Sequence, residues 1–397
     1  MNRDAWIEVN LNNLAHNANR IVKCVADNCL TNHNKSAALI GVIKANAYGN
    51  GAVQCAEVLL DSGFDMLAVA TVQEGVKLRA AGIKCPIIVL GITPQDAVRD
   101  LIESNLCPVI SSMDEAVEMS EIAAGLSRNI KCIIAIDSGM GRLGWQAARK
   151  DLRGRCIDEI KEISQMPQME IIGAISHFSV ADEGRCNPQN QALSSREYTK
   201  NQFRIFNTFC EELERSDISI GIRTIANSAA IIDYPRTMLD AVRPGIILYG
   251  NYPSEYVDKS RLDIKPIMSV KARIVNIKEV EEGTPISYGR RFVARRSRRI
   301  AILPLGYADG YARCLSNKAR VILRGHYAPV IGSICMDQCM IDITEITDAG
   351  VGDEVVVMGS DDIGNAVTAE ELARLEGTIN YEVLCDFGMR LPHVYIT

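Results

Sequence analysis

Two hydrophobic patterns divide the chain. Between about residues 39 and 250, short and nearly continuous apolar runs fall at 39–43, 66–70, 87–90, 108–110, 132–136, 171–175, 222–226 and 239–242. The intervals between them carry helical spacing, clearest at 73–81 and 114–124. Strands that are apolar at every position are buried on both faces, as parallel strands joined by crossover helices are. Eight such units predict an α/β fold, an N-terminal (β/α)8 TIM-like barrel. Periodicity alone also allows a doubly wound sheet.

After about residue 252 the strands follow one another directly, at 269–277, 300–304, 321–323, 329–334, 340–343 and 354–358. A turn at Glu282-Gly283 punctuates them, and one helix is predicted near 369–375. The pattern predicts two domains, a barrel over 1–250 and a C-terminal mainly-β domain over 251–397. The early strand Ala5–Asn10 is a candidate partner for the second.

Composition removes several function classes. The 397 residues carry a net charge of -6, which opposes general affinity for nucleic acid. The one basic run, Arg295-Arg296-Ser297-Arg298-Arg299, reads as a solvated loop. No segment approaches the ~20 apolar residues that span a bilayer. The start of the chain, Met1 to Glu8, lacks the apolar stretch of a signal peptide. Thirteen cysteines, an odd number without a Cys-x-x-Cys pair, read as reduced thiols in a cytoplasm. None of the five histidines stands at zinc-ligand spacing from cysteine, so no metal is expected.

The chemistry of such a barrel lies at the C-terminal ends of its strands. The first ends in Lys44-Ala45-Asn46-Ala47-Tyr48-Gly49. A lysine there is near a low-dielectric interior, where its amine can lose a proton and attack an aldehyde. The fifth ends in Asp137-Ser138-Gly139-Met140-Gly141-Arg142-Leu143-Gly144, and Arg142 suits a carboxylate. The remaining ends are Ser176-His177-Phe178, Asn227-Ser228 and Arg243-Pro244-Gly245-Ile246. Loops after the last two strands often bind phosphate. The Ser228 hydroxyl and the N–H groups of Gly245 and Ile246 are the candidate donors. A lysine at one strand end and a phosphate cradle at others is what pyridoxal phosphate (PLP) requires.

Together these segments resemble the bacterial alanine racemase family. The resemblance continues through Ala226-Asn227-Ser228-Ala229-Ala230, Val242 to Gly250, Ile286-Ser287-Tyr288-Gly289, Gly306-Tyr307-Ala308-Asp309-Gly310, Cys335-Met336-Asp337-Gln338 and Ile379-Asn380-Tyr381-Glu382. It implies a PLP-dependent racemase that interconverts L- and D-alanine and supplies D-alanine for peptidoglycan. Lys44 would hold PLP as a Schiff base and serve as one acid/base, with Tyr288 opposite. Arg243 would bond the pyridine nitrogen. Tyr48, Ser228, Gly245, Ile246 and Tyr381 would bind the phosphate, with His177 and Asn227 also at the cofactor. Arg142 and the Met336 backbone would receive the substrate carboxylate.

The resemblance also implies a homodimer in which Tyr288 and Met336 reach the partner's Lys44. Asp182, Tyr307, Arg313 and Ile379 would line the access channel with Tyr381. Tyr381 narrows the pocket and favours a methyl side chain; a serine or broader amino-acid racemase of the same family is the alternative. A phenol ionises near pH ~10, so a tyrosine base needs cationic or hydrogen-bonding help. Arg142 and His177 are the candidates.

Three positions depart from the family pattern. Ala135 stands where an often carbamylated lysine positions the arginine, Asn50 replaces a histidine, and His393 replaces a common arginine. Two further readings share parts of the plan. PLP-dependent basic amino-acid decarboxylases commonly rely on a cysteine in the β domain, and Cys335 and Cys339 are available. A PLP carrier resembles the barrel alone.

Overall fold

A computed structural model describes residues 3–31, 36–183, 194–388 and 390–397. Eight parallel strands form a closed barrel. They are β2 (Ala38–Val42), β3 (Met66–Val69), β4 (Ile87–Val89), β5 (Cys107–Ile110), β6 (Ile130–Ala135), β7 (Met169–Ile175), β8 (Ile222–Asn227) and β9 (Ala241–Arg243), after β1 (Ala5–Asn10). Closure comes from β2 and β9, where Ala38 meets Ala241 and Leu39 meets Val242. Ile40, Leu67, Ile87 and Ile134 are fully buried. Each such side chain contributes roughly 1.5–3 kcal/mol on leaving water.

Helix starts follow local capping. The helix expected at 73–81 spans Val72–Ala80, because the Thr71 side chain accepts the Glu74 N–H and the Glu74 carboxylate accepts the Thr71 N–H. The helix after β5, Met113–Gly125, begins where Ser112 accepts the Glu115 N–H.

The strands of the second half are β10 (Met268–Arg273), β11 (Asn276–Val280), β12 (Pro285–Ile286), β13 (Phe292–Val293), β14 (Arg298–Leu303), β15 (Arg320–Leu323), β16 (His326–Pro329), β17 (Cys339–Asp342), β18 (Glu354–Ser360), β19 (Ala366–Val367) and β20 (His393–Ile396). A seven-stranded sheet runs β16-β15-β18-β10-β1-β20 with β19 on β18, beside the sheets β11-β14-β17 and β12-β13. The sheet therefore takes in both ends of the chain. β1 lies antiparallel to β10 and parallel to β20.

Four expectations are corrected. The single strand 269–277 is two strands in different sheets, because the Ile274 N–H turns to Asp353 O and the Val275 N–H to Ile302 O. The strand 329–334 is β16 ending at Pro329, followed by an irregular segment whose Gly332 has φ 73° and donates to Asn317 Oδ1. The basic run is not all loop: Arg298 and Arg299 belong to β14. Arg298 pairs with Asp342, and Arg299 donates to the carbonyls of Ile346, Thr347 and Ala349. The helix near 369–375, found at Ala369–Glu376, is followed by a second at Asn380–Asp386 that carries Tyr381. Among the described residues, no helix is long and apolar enough to cross a membrane.

Candidate active site

Lys44 leaves β2 into a turn with left-handed backbone. The φ angles are 51° at Ala45, 54° at Asn46, 56° at Ala47 and 53° at Tyr48. This conformation costs a residue with a side chain roughly 1–2 kcal/mol, so it persists only where the surroundings hold it. Glu74 Oε1 accepts the Ala45 N–H at 2.6 Å, and Asn46 Oδ1 accepts the Ala52 N–H at 3.0 Å. The buried Asn50 amide closes the turn on itself, donating to Ala47 O at 2.8 Å and Tyr48 O at 3.2 Å. Asn50 thus spends its amide donors locally.

The lysine opens into a cavity of about 970 Å3 at the strand C-termini. Burial, then the Arg142 charge, lowers the Lys44 amine below its ordinary range, against weaker opposing effects of Cys385 and Glu74. A lowered amine is the form that attacks a carbonyl or takes a proton.

One wall gathers hydroxyls. Ser228 Oγ accepts the Gly245 N–H at 2.9 Å. A Cβ on Gly245 would fall 2.8 Å from Tyr48 Oη, so only glycine lets that phenol approach. Tyr48 lies 4.9 Å from Tyr249 and 6.0 Å from Tyr381, centroid to centroid. Burial pushes the Tyr48 and Tyr381 phenols up, so both remain O–H donors. Ile246 lines the same wall at the start of a short turn, and Asn227 lines it while its side chain caps the Ala230 N–H.

The charges stand beside it, since Arg243 pairs in register with Asn227. Arg243, on β9, is 4% exposed. It donates to Thr224 Oγ1 at 2.7 Å and to Ser176 O at 2.6 Å. Its Nη2 is 3.2 Å from His177 Nδ1. A guanidinium only donates, so Nδ1 accepts and His177 carries its hydrogen on Nε2. Burial, then Arg142, lowers Arg243 to about 9, which leaves it charged at neutral pH. Burial, then Arg243, Arg142 and Lys44, lowers His177 to about 3. A neutral His177 gives no cationic help to a phenol, which corrects that part of the expectation.

Arg142 sits in the loop after β6. Asp137 Oδ1 pins this loop by accepting the N–H groups of Gly139 and Gly141 at 2.9 and 3.0 Å. Tyr198 Oη donates to Gly139 O at 2.6 Å. Arg142 makes no ion pair among the described residues, and Ala135, which lines the same cavity, is buried and apolar. The guanidinium is thus free to take an incoming carboxylate.

The structure brings together Lys44, Tyr48, Arg142, His177, Asn227, Ser228, Arg243, Gly245, Ile246, Ile379 and Tyr381 around one cavity. Tyr288, Met336, Asp182, Tyr307 and Arg313 are not in its lining. Tyr288 is 72% and Met336 53% exposed. Tyr288 borders a separate cavity of about 630 Å3 with Lys278, Cys335 and Gln338. Neither Arg142 nor His177 therefore stands beside Tyr288 within one copy. Asp182 lies near enough to raise the Tyr381 phenol.

Sequence reasoning missed Glu74, Asp137, Thr224 and Cys385. The Thr71-x-x-Glu74 capping spacing is a signal for Glu74. Asp137 holds N–H groups two and four residues on in its own loop, whereas nothing local marks Thr224 or Cys385, whose partners lie elsewhere in the chain.

The fold and this cavity define a class: a barrel enzyme with a lysine amine, converging hydroxyl donors and two arginines at its mouth, joined to a β domain that also lines the cavity. Residues 9–253 match the family described as alanine racemase, N-terminal domain, and residues 267–395 match alanine racemase, C-terminal domain. The chain is 46% identical to alanine racemase 1 of Clostridium acetobutylicum, over 99% of this chain and 96% of that one. It is 45% identical to the alanine racemase of Clostridium kluyveri, over 99% and 94%. Among solved structures, the alanine racemase of Clostridium difficile 630 matches with TM-score 0.89 at 38% identity, covering 100% of this chain and 96% of that one. The enzyme from Bacillus anthracis with bound L-Ala-P matches with TM-score 0.89 at 30% identity, covering 100% and 96%. The chain belongs to the alanine racemase family, and it is an isomerase acting on alanine. The full-length matches set aside the decarboxylase and carrier readings.

Proposed function

We propose that this racemase works with PLP held on Lys44, and that Lys44 and Tyr288 of a second copy act on opposite faces of the substrate α-carbon. The observation that carries the reading is the divided site: the lysine, the hydroxyls and the arginines share one cavity, while Tyr288 is exposed and borders a separate one. The residues fit the cofactor. Tyr48 and Ser228 converge on Gly245, in a cradle that a Cβ would fill, and Tyr381 adds a third hydroxyl to that wall.

When bound, PLP supplies an electron sink for negative charge at the α-carbon. Racemisation then needs a proton removed on one face and returned on the other. The lowered Lys44 amine serves one face, and the Tyr288 phenol serves the other. Arg243 stays charged and donates only, so it would hold the cofactor's ring nitrogen unprotonated and moderate that sink. Arg142 and the Met336 N–H receive the carboxylate. Ile379 and Tyr381 narrow the approach, joined in the dimer by Asp182, Tyr307 and Arg313. His177 and Asn227 complete the cofactor wall.

The product D-alanine would serve peptidoglycan synthesis in the cytoplasm. The described cysteines are all free thiols, in keeping with a reducing compartment; Cys186 lies outside the described residues. The test is racemisation of L-alanine and L-serine followed by circular dichroism, with Lys44→Ala as control. Faster turnover of alanine and an inactive Lys44→Ala are expected. Activity surviving in Lys44→Ala would overturn the assignment, and serine turnover equal to or above that of alanine would favour the broader racemase.

A further inference from the structure

The left-handed turn behind Lys44 is braced from the far end of the chain. β20 is an edge strand of the seven-stranded sheet, held in parallel register by β1, with Ile7 opposite His393 and Val9 opposite Tyr395. Side chains two apart on a strand share a face. His393 and Tyr395 accordingly stack, with centroids 6.1 Å apart and planes 22° from parallel. That face meets the turn. His393 Nε2 lies 2.7 Å from Gly49 O, and a Cβ on Gly51 would fall 1.9 Å from Tyr395 Oη. A carbonyl only accepts, so Nε2 carries the hydrogen and donates. A Cβ on Gly49 would fall 2.5 Å from Leu384 O, in the helix Asn380–Asp386. The sheet edge and this helix thus close on the glycines that end the turn, both at positive φ, 82° at Gly49 and 95° at Gly51.

We propose that His393 is a positioning residue for Lys44: its Nε2–H holds the Gly49 carbonyl and keeps Ala45 to Tyr48 in the left-handed conformation that aims the lysine amine and the Tyr48 phenol into the cavity. The other restraints on the turn come from Glu74 and from within it. His393 adds the one that ties it to β20, and through β1 to the seven-stranded sheet. His393 and Gly49 are both outside the cavity lining that holds Arg142. This rests on the reading that Lys44 performs the proton transfer.

The test compares wild type, His393→Leu and His393→Gln as PLP-saturated enzymes. Amide hydrogen exchange over residues 45–52 is read against residues 107–125 as a fold control. Losing one hydrogen bond should speed exchange in the turn roughly tenfold in His393→Leu and leave the control segment unchanged. kcat should fall by about the same factor while KM for alanine stays within about twofold. His393→Gln, which restores an N–H donor at similar reach, should recover most of both. Should His393→Leu not fold, His393→Met, flexible and without a donor, gives the same comparison. Unchanged exchange in a folded donor-less variant, or a His393→Gln as impaired as it, would overturn the proposal. The visible absorbance of bound PLP separates this outcome from failure of the underlying reading: a protein without that absorbance fails the cofactor assignment, whereas the exchange measurement judges the brace alone.

Discussion

The mouth of the barrel and the loops of the β domain are both held firmly, but they end differently. At the mouth, side chains converge: Arg243 is spent on Thr224, Ser176 and His177, Asp137 is spent on its own loop, and the Lys44 amine is lowered by burial. In the β domain the backbone is equally fixed. Ser287 Oγ donates to Ser333 O at 2.6 Å, and Ser333 Oγ donates to Tyr288 O at 2.8 Å. The N–H groups of Tyr307 and Ala308 donate to the carbonyls of Cys335 and Met336. Yet the rings and chains these loops carry point outward, with Tyr288, Met336 and Tyr307 all exposed. Strain is stored there too, since Ser287 has φ 64°. The backbone is thus held closely around a tyrosine that is itself exposed. In the function proposed above, the mouth is one half of a site and the β-domain loops of a second copy are the other half.

Several substitutions break or sharpen that contrast. The largest effect should come from Tyr288→Phe. It removes the phenol without touching the Lys44 cavity, so kcat for alanine should fall by about 10²–10⁴-fold while PLP binding, read by absorbance, is retained. Arg142→Met acts on the mouth alone. Losing a charged donor pair to the substrate carboxylate should raise KM for alanine roughly tenfold to a hundredfold in steady-state kinetics. Tyr381→Asn opens the space that the helix Asn380–Asp386 closes. The ratio of kcat/KM for serine over alanine should rise about tenfold, and an unchanged ratio would count against Tyr381 as the size filter.

The smallest effect is a pH dependence at the mouth. His177 is lowered from 6.5 to about 3 in the folded chain. The unfolded chain therefore binds the proton first as pH falls. The stability contributed is complete above about pH 6.5 and is lost progressively as pH drops towards 3. His177→Gln should flatten the decline of Tm between about pH 7 and 5.

The barrel was legible because parallel strands buried on both faces leave runs that no other element needs. The 171–175 run falls inside β7, and the 132–136 run overruns the end of β6 by one residue. The β domain was legible less evenly. Residues 269–277 read as one strand because the break at Ile274 and Val275 is made by hydrogen bonds to Asp353 and Ile302, which alternation does not encode. The helix Asn380–Asp386 is seven residues long, too short to show helical spacing, though it carries Tyr381 and Cys385 into the cavity. Residues at strand ends could be found from sequence because the barrel fixes where chemistry lies. Thr224 could not, because its role depends on Arg243, a distant group that the fold delivers to it.

The divided site is tested most directly by complementation. Lys44→Ala lacks the lysine and Tyr288→Phe lacks the phenol, so each alone should be nearly inactive. Co-expressed, the two variants should form hybrid dimers in which both defects fall in one site and the other site is intact. With random pairing in a symmetric dimer, about a quarter of wild-type activity should return. A co-expressed mixture as inactive as either variant alone, with hybrid dimers present by native mass spectrometry, would contradict the account.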